Sequence, residues 1–180
     1  MDWLPYDLAL LHSASRFDLS NQAGRTESAR WLRQLFIRTV ATLRPRLVLE
    51  LGAAEASFSR EVAPLLDRGE VHAFEANPYV HRKHAEEAQA AGVRYHNLAL
   101  GRESGAATFK VGRSKDGKPL LPNKTNNSIL TRLANVEYEE VSVQMVSVDD
   151  FVARNKLNTR SCAMWVDVEG LAHDVHPHRA

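Results

Sequence analysis

The sequence predicts an α/β fold built on a mostly parallel β-sheet, and two patterns in the chain lead to that prediction. Over residues 47–96, short apolar runs and helical segments follow one another in the order strand, helix, strand, helix, strand. The first run, 47–51, is almost continuously apolar instead of alternating with polar residues, which is typical of a strand covered on both faces. Because the connections are short, the strands are expected to lie parallel and to be joined by right-handed crossovers.

Each element of this core has a local signal. Strands are predicted at 47–51, 71–75, 93–96 and 162–168, and helices at 57–66, 78–91 and 148–155. Gly52 turns the chain after the first strand, and Pro64 weakens the last turn of the first of these helices. Two further strands, 106–111 and 138–147, are expected to form an inserted antiparallel pair, and the turn-rich stretch 112–128 is predicted to be a loop.

An N-terminal helical segment is predicted to precede this domain. The segment covers 1–45 and the domain 46–180. A short helix is expected at 6–12, and a longer one begins with Thr26 or Ser28 as its cap, because either hydroxyl can accept a hydrogen bond from the first turn. Pro45 ends the longer helix, since proline disfavours helical geometry in the residue before it.

Composition and charge exclude several classes of protein. Of the 180 residues, 44% are hydrophobic and 25% are charged, which fits an ordinary globular domain and excludes a mostly disordered chain. The formal net charge of +1 gives no attraction to nucleic acid or to an anionic membrane, and no apolar run approaches the ~20 residues of a membrane helix. Cys162, the single cysteine, is expected to be a small core residue, and we expect a cytoplasmic protein.

Acidic residues fall at the ends of three predicted strands, where open parallel sheets bind their ligands. These residues are Glu50, Glu75 and the pair Asp167 and Glu169. After the first strand, Gly52 permits a sharp turn, and the small residues Ala54 and Ala56 leave room for a ligand. A plain strand-to-helix turn would have the same features, so this segment does not by itself establish a ligand site.

Glu75 lies at the interval after Gly52, about 20 residues, at which nucleotide-binding sheets place a carboxylate on the ribose hydroxyls. The other interpretation is that Glu75 caps the helix that starts near Pro78. A dinucleotide fits poorly, because only the first glycine of Gly-x-Gly-x-x-Gly is present and Glu50 would repel a phosphate. Glu50 suits a cationic ligand, so electrostatics favour S-adenosylmethionine, which carries an ammonium and a sulfonium.

The chain resembles the FkbM family of S-adenosylmethionine-dependent methyltransferases over roughly residues 47–175. Its longest motif, similar to the family's Asp-Val-Gly-Ala-Asn-x-Gly-x-Phe-Thr, is Glu50-Leu51-Gly52-Ala53-Ala54-Glu55-Ala56-Ser57-Phe58-Ser59. The other similar motifs, in the same order, are Ala73-Phe74-Glu75-Ala76-Asn77-Pro78, Asn97-Leu98-Ala99-Leu100-Gly101, Asn127-Ser128-Ile129-Leu130, Val146-Ser147-Val148-Asp149-Asp150-Phe151 and Asp167-Val168-Glu169-Gly170.

The resemblance implies a Rossmann-like sheet of the class I methyltransferases, with S-adenosylmethionine as the cofactor. The donor-binding residues that it implies are Glu50, Gly52, Ala53, Ala54, Ser57, Phe58, Glu75, Ala76, Asn97 and Leu98. The segment around Gly52 would hold the methionine part of the donor, Glu75 the ribose, and the residues after the third strand would lie near the adenine. Asp167 and Glu169 would lie near the methyl group or the acceptor, and they are the candidate catalytic bases.

The expected reaction is methylation of a hydroxyl group on a small molecule, such as a sugar or a polyketide-like alcohol, without a metal ion. The sequence departs from the family at Ala54, Ala56 and Trp165, where the family has Asn, Gly and often Lys. Family members also continue well beyond the motif that ends at Gly170, so we expect a fold that is incomplete at its C-terminus. The alternative is a truncated, weakly active or inactive relative that binds the donor and forms homo-oligomers through the exposed edge of strand 162–168.

Overall fold

A computed structural model describes residues 12, 15–122 and 134–168. The chain divides into two compact units, Met1–Leu43 and Arg44–Ala180. The first unit contains helix α1 (Gln22–Leu43), and the helix predicted at 6–12 lies almost wholly outside the described residues. No helix within those residues is long and apolar enough to cross a membrane.

Helix α1 begins earlier than the sequence predicts. The side chain of Asn21 accepts a hydrogen bond from the backbone N–H of Gly24 at 2.8 Å, so Asn21 is the cap. Capping by Thr26 or Ser28 is therefore wrong, and the Thr26 hydroxyl instead donates to the carbonyl of Gln22 at 2.9 Å, within the helix. The helix ends two residues before Pro45, as expected.

The second unit contains two β-sheets, and the first is entirely parallel. Its strands are β1 (Leu47–Leu51), β2 (Glu70–Phe74), β3 (Arg94–His96) and β8 (Cys162–Val166), in the order β3-β2-β1-β8. The three strands predicted to lie side by side do so, which confirms the α/β fold with a mostly parallel sheet. The connecting helices are α2 (Ser57–Val62), followed by a 3₁₀ turn at Ala63–Leu65, and α3 (Pro78–Ala90).

The second sheet extends further than the predicted antiparallel pair. Its strands are β4 (Ala99–Leu100), β5 (Gly105–Lys115), β6 (Lys118–Pro119) and β7 (Val136–Val146), in the order β4-β7-β5-β6. Strands β5 and β7 are antiparallel, as predicted. The prediction of a loop over 112–128 is wrong for its first part. Residues 112–115 continue β5 through a bulge between Gly112 and Ser114, and Lys118–Pro119 form β6, which pairs with the end of β5. Residues 123–133 lie outside the described part of the chain.

Helices cover both faces of the first sheet, which explains why all of β1 and all but the first residue of β2 are buried. Side chains in register on neighbouring parallel strands point to the same face, so Glu50, Ala73, Tyr95 and Trp165 form one row across the sheet. That row faces α2, since the ring of Trp165 stacks on Phe58. On the opposite face, Phe151 of α4 (Val148–Arg154) packs edge-on against Phe74, with ring centroids 4.7 Å apart.

Strand β8 is less buried than its apolar sequence predicts. Four of its residues are half-buried, and Cys162 at its start is exposed. The expectation that Cys162 belongs to the core is therefore wrong. Within the described residues β8 is an edge strand that pairs with β1 alone, and one-sided pairing leaves its first residue accessible to solvent.

Candidate functional site

The turn between β1 and α2 depends on Gly52. Its φ of 79° lies in the left-handed region, and a Cβ added there would lie 2.1 Å from the carbonyl oxygen of Asp167, which follows β8. The backbone N–H groups of Gly52 and Ala53 both donate to the carbonyl of Phe74, at 3.1 and 2.8 Å. The turn is thus held closely against the ends of both neighbouring strands, β2 and β8.

Ala54 and Ala56 also adopt left-handed conformations, with φ of 45° and 53°. Ala54 is exposed and Ala56 is fully buried. Asparagine and glycine, which the resemblance noted in the sequence implies at these positions, are the residues that tolerate this conformation best. With alanine at both positions, the turn holds two residues in a backbone conformation that alanine disfavours. The substitutions thus change the strain of the turn as well as the space beside it.

Glu75 follows β2, and two backbone N–H groups fix its carboxylate. Oε2 accepts from Ala54 at 2.8 Å, and Oε1 accepts from Asn77 at 2.7 Å. Burial raises the pKa of this carboxyl, while the two N–H donors act in the opposite direction. The carboxylate thus joins the end of β2 to the β1–α2 turn.

The alternative interpretation of Glu75 as the cap of α3 is wrong. The cap is Asn77, whose side-chain oxygen accepts from the N–H groups of Tyr79 and Val80 at 2.9 and 3.4 Å. The amide of Asn77 also donates to the carbonyl of Pro122 at 2.7 Å, and the Tyr79 hydroxyl donates to the carboxylate of Glu139 on β7. These contacts attach the start of α3 to the second sheet and leave Glu75 directed at the turn.

Glu50 is buried on β1, and one of its partners is the first turn of α2. Its Oε2 accepts from the backbone N–H of Ser59 at 2.9 Å. Phe58 and Ser57 lie beside it at the start of α2; Phe58 is buried against Trp165, with ring centroids 5.3 Å apart, and Ser57 is half-buried. Direct binding of a ligand by Glu50 stays a prediction, and the contact with Ser59 gives this residue a structural role.

Sequence reasoning missed Tyr95, the second residue of β3. Its hydroxyl donates to the carbonyl of Ala54, so it reaches from β3 across the sheet to the β1–α2 turn. Burial and the negative charges of Glu75 and Glu50 raise the pKa of this phenol, which keeps the hydroxyl protonated. Tyr95 lies in the same cross-strand row of side chains as Glu50, and that row could have pointed to Tyr95 as a site residue. The row can be recognised only when the strand register is known.

The segment after β3 contacts Glu75 as well. The exposed side chain of Asn97 donates to the carbonyls of Glu75 and Ala76, at 2.8 and 3.2 Å. Leu98 packs against the core below the first sheet, whereas Ala76 packs against a cluster of the second sheet. Asn97 and Ala76 therefore lie at the same end of the sheet as Glu75, and Leu98 contributes to packing.

Of the two candidate bases, the structure describes one. Asp167 is exposed directly after β8, and its backbone N–H donates to the carbonyl of Leu51 at 2.8 Å. Its carbonyl oxygen faces Gly52, so Asp167 lies beside the β1–α2 turn. Glu169 and Gly170 lie outside the described residues, as does the motif at 127–130.

The comparison with protein families decides the class of this protein. The family model of the methyltransferase FkbM domain matches residues 44–175, which is more than half of the chain. The chain belongs to the FkbM methyltransferase family. A search of curated proteins returned no match.

Membership of the FkbM family makes this protein a methyltransferase, and the fold agrees with that class. The parallel sheet with helices on both faces is consistent with a Rossmann-like methyltransferase domain. Among the described residues, no three His, Cys, Asp or Glu side chains are grouped so that they could hold a metal ion. The residues gathered at the ends of β1, β2, β3 and β8 lie where open parallel sheets bind their ligands, and they form the candidate site of this FkbM domain.

Proposed function

We propose that this methyltransferase uses S-adenosylmethionine and transfers its methyl group to a hydroxyl group of a small molecule. The observation that carries the proposal is the Glu75 carboxylate, which two backbone N–H groups hold at the carboxyl ends of the parallel strands. A ribose is recognised by such a carboxylate at the end of the second strand of nucleotide-binding sheets.

The residues present fit this donor. Each oxygen of the Glu75 carboxylate accepts one backbone N–H, and a carboxylate oxygen can accept a second hydrogen bond, here from a ribose hydroxyl. Asn97 and Ala76 adjoin Glu75 on the side where we place the adenine. The turn at Gly52–Ala54 would hold the methionine part, as the family resemblance implies.

Charge favours this donor over a dinucleotide. Glu50 and Glu75 place two carboxyl groups near the Tyr95 hydroxyl, and both oppose ionisation of that phenol. A negative potential of this kind attracts a ligand with an ammonium and a sulfonium and repels a pyrophosphate. When bound, the donor supplies a methyl group on a positively charged sulfur.

Asp167 is the described residue best placed to act on the acceptor. It is exposed, and its backbone is in contact with the turn that we assign to the methionine part. A hydroxyl acceptor must lose a proton as the methyl group is transferred, and a carboxylate within reach can take it. Positioning of the acceptor in line with the methyl group supplies much of the rate. We assign the same role, as the alternative base, to Glu169.

We place the reaction in the cytoplasm and name a sugar or a polyketide-like alcohol as the acceptor class.

Calorimetric titration of the chain with S-adenosylhomocysteine tests the donor site. Glu75→Ala is expected to weaken binding by about 1.5–3 kcal/mol, the loss typical of a hydrogen bond to a charged group. Glu70→Ala is the matched control, because Glu70 lies at the opposite end of the same strand and pairs with Arg94 at 2.8 Å. No binding by the unaltered chain, or tighter binding of NADH, would contradict the proposal.

A second candidate, a homo-oligomer, is favoured by the position of β8. Within the described residues the outer edge of this half-buried strand has no pairing strand, and uncovered apolar edges promote association. A donor-binding, oligomerising protein with weak turnover would give larger particles in light scattering and little transfer of labelled methyl groups. A stable monomer that methylates an acceptor from a panel of hydroxylated metabolites would exclude this second function.

A further inference from the structure

We propose that Tyr95 is a positioning residue of the donor site, which fixes the Ala54 peptide and thereby the carboxylate of Glu75. The inference rests on the proposed function, because it assigns the ribose of the donor to Glu75. Tyr95 does not need to touch the donor for this role; it acts through the turn that Glu75 also contacts.

The strand register explains how Tyr95 reaches the turn. Glu50 on β1 is in register with Ala73 on β2, and Ala73 is in register with Tyr95 on β3. Ala73 is fully buried and contributes a single methyl group to the row, so it leaves space for the tyrosine side chain to extend across β2. The ring of Tyr95 also packs against His81 of α3, with centroids 4.6 Å apart, which restricts its orientation.

Ala54 is held on both sides by polar contacts. Its N–H donates to Glu75 at 2.8 Å, and its carbonyl accepts from the Tyr95 hydroxyl. An alanine with φ of 45° is in a conformation that costs on the order of 1–2 kcal/mol, so it persists when surrounding contacts hold it. Loss of the Tyr95 hydroxyl removes one of the two holding contacts, and we expect Ala54 to relax and its N–H to turn away from Glu75.

The backbone after Tyr95 makes the connection to Glu75 direct as well. The N–H of Glu75 donates to the carbonyl of His96 at 3.0 Å, and the side chain of Asn97 donates to the carbonyl of Glu75 at 2.8 Å. The end of β3 therefore fixes the backbone of Glu75 through residues 96 and 97. Tyr95 completes this arrangement, because through Ala54 it fixes the carboxylate.

The test compares Tyr95→Phe with Tyr79→Phe in the full chain. Both changes remove one hydrogen-bonded hydroxyl and keep the ring. The Tyr79 hydroxyl donates to Glu139 and accepts from Arg113, both on the second sheet. For Tyr95→Phe we expect the Kd for S-adenosylhomocysteine to rise about tenfold, which corresponds to ~1.4 kcal/mol. For Tyr79→Phe we expect no change in Kd and a fall in the urea midpoint at least as large as that of Tyr95→Phe, because the Tyr79 hydroxyl has two charged partners.

Amide hydrogen exchange gives a second measurement, which requires no ligand. In Tyr95→Phe the Ala54 N–H should exchange at least about tenfold faster, while the N–H groups of Gly52 and Ala53, bonded to Phe74, keep their rates. Equal Kd values for the two variants, or unchanged exchange at Ala54, would overturn the inference. If the unaltered chain binds no donor, the proposed function fails. The exchange of Ala54 then still decides whether Tyr95 fixes this peptide.

Discussion

Replacing Gly52 with alanine tests whether the β1–α2 turn requires glycine for two separate reasons. The first is backbone conformation, because φ is 79° and an alanine in the left-handed region loses about 1–2 kcal/mol. The second is space, because the new Cβ would lie 2.1 Å from the carbonyl oxygen of Asp167 and 2.8 Å from its carbonyl carbon. Backbone atoms cannot rotate away, and overpacking of this kind costs roughly 1–3 kcal/mol. The expected loss of unfolding free energy is therefore about 2–5 kcal/mol.

Gly92→Ala separates the two contributions. Gly92 has a similar φ of 82°, but apart from its two chain neighbours no described residue lies within 4 Å of the Cβ that alanine would add. Its replacement should lower the free energy of unfolding by the backbone cost alone, about 1–2 kcal/mol. Urea unfolding followed by circular dichroism measures both variants under the same conditions. Equal losses for Gly52→Ala and Gly92→Ala would refute the argument that the Asp167 backbone leaves no room for a side chain.

Two further predictions concern pH and the strained turn. Burial, with positive charge from His72, His81 and Arg94, lowers the pKa of His96 from the ordinary 6.5 to about 4. Its contribution to stability is therefore complete above pH 6.5 and is lost as the pH falls through 4, a loss of about 2 kcal/mol after allowance for partial exposure. Urea midpoints across this window should fall less steeply for His96→Phe, and equal slopes would contradict the prediction. Ala54→Gly should raise the free energy of unfolding by about 1 kcal/mol, because it relieves the positive φ at an exposed position where no buried methyl group is lost. An unchanged or lower urea midpoint would show that Ala54 is not strained.

The local signals of the sequence were sufficient for most of the first sheet. The bounds of β1 follow from a continuous apolar run that ends at Gly52, and the start of α3 follows from Asn77 and Pro78. Both kinds of signal act within a few residues: an apolar run buries its own side chains, and a capping residue bonds to its own helix. The parallel order of the first three strands follows from such elements and from their short connections.

Local sequence patterns did not predict all the strands of the second sheet. Residues 112–115 are polar and turn-prone, yet they continue β5 because β7 supplies their hydrogen-bonding partners. Strand β4 has two residues, too few for a recognisable pattern, and it pairs with the end of β7. A β-strand forms only against a neighbouring strand, and the partners of residues 112–115 are residues 136–138, which lie outside any local window of the sequence.

Some features of the candidate site also follow from the sequence, whereas others depend on the tertiary structure. The sequence by itself predicted that acidic residues end the strands and that Gly52 forms the turn. It also predicted that Glu75 follows Gly52 at the sequence spacing of a ribose-binding carboxylate. The tertiary structure decided which groups hold them: Tyr95 on Ala54, and Ala54 on Glu75. These contacts join Tyr95 on β3 to the β1–α2 turn and to the residue after β2, and their geometry depends on the strand register, on the twist of the sheet and on the space that the small side chain of Ala73 leaves. None of these properties is encoded in a local pattern, because each arises when separate segments pack together.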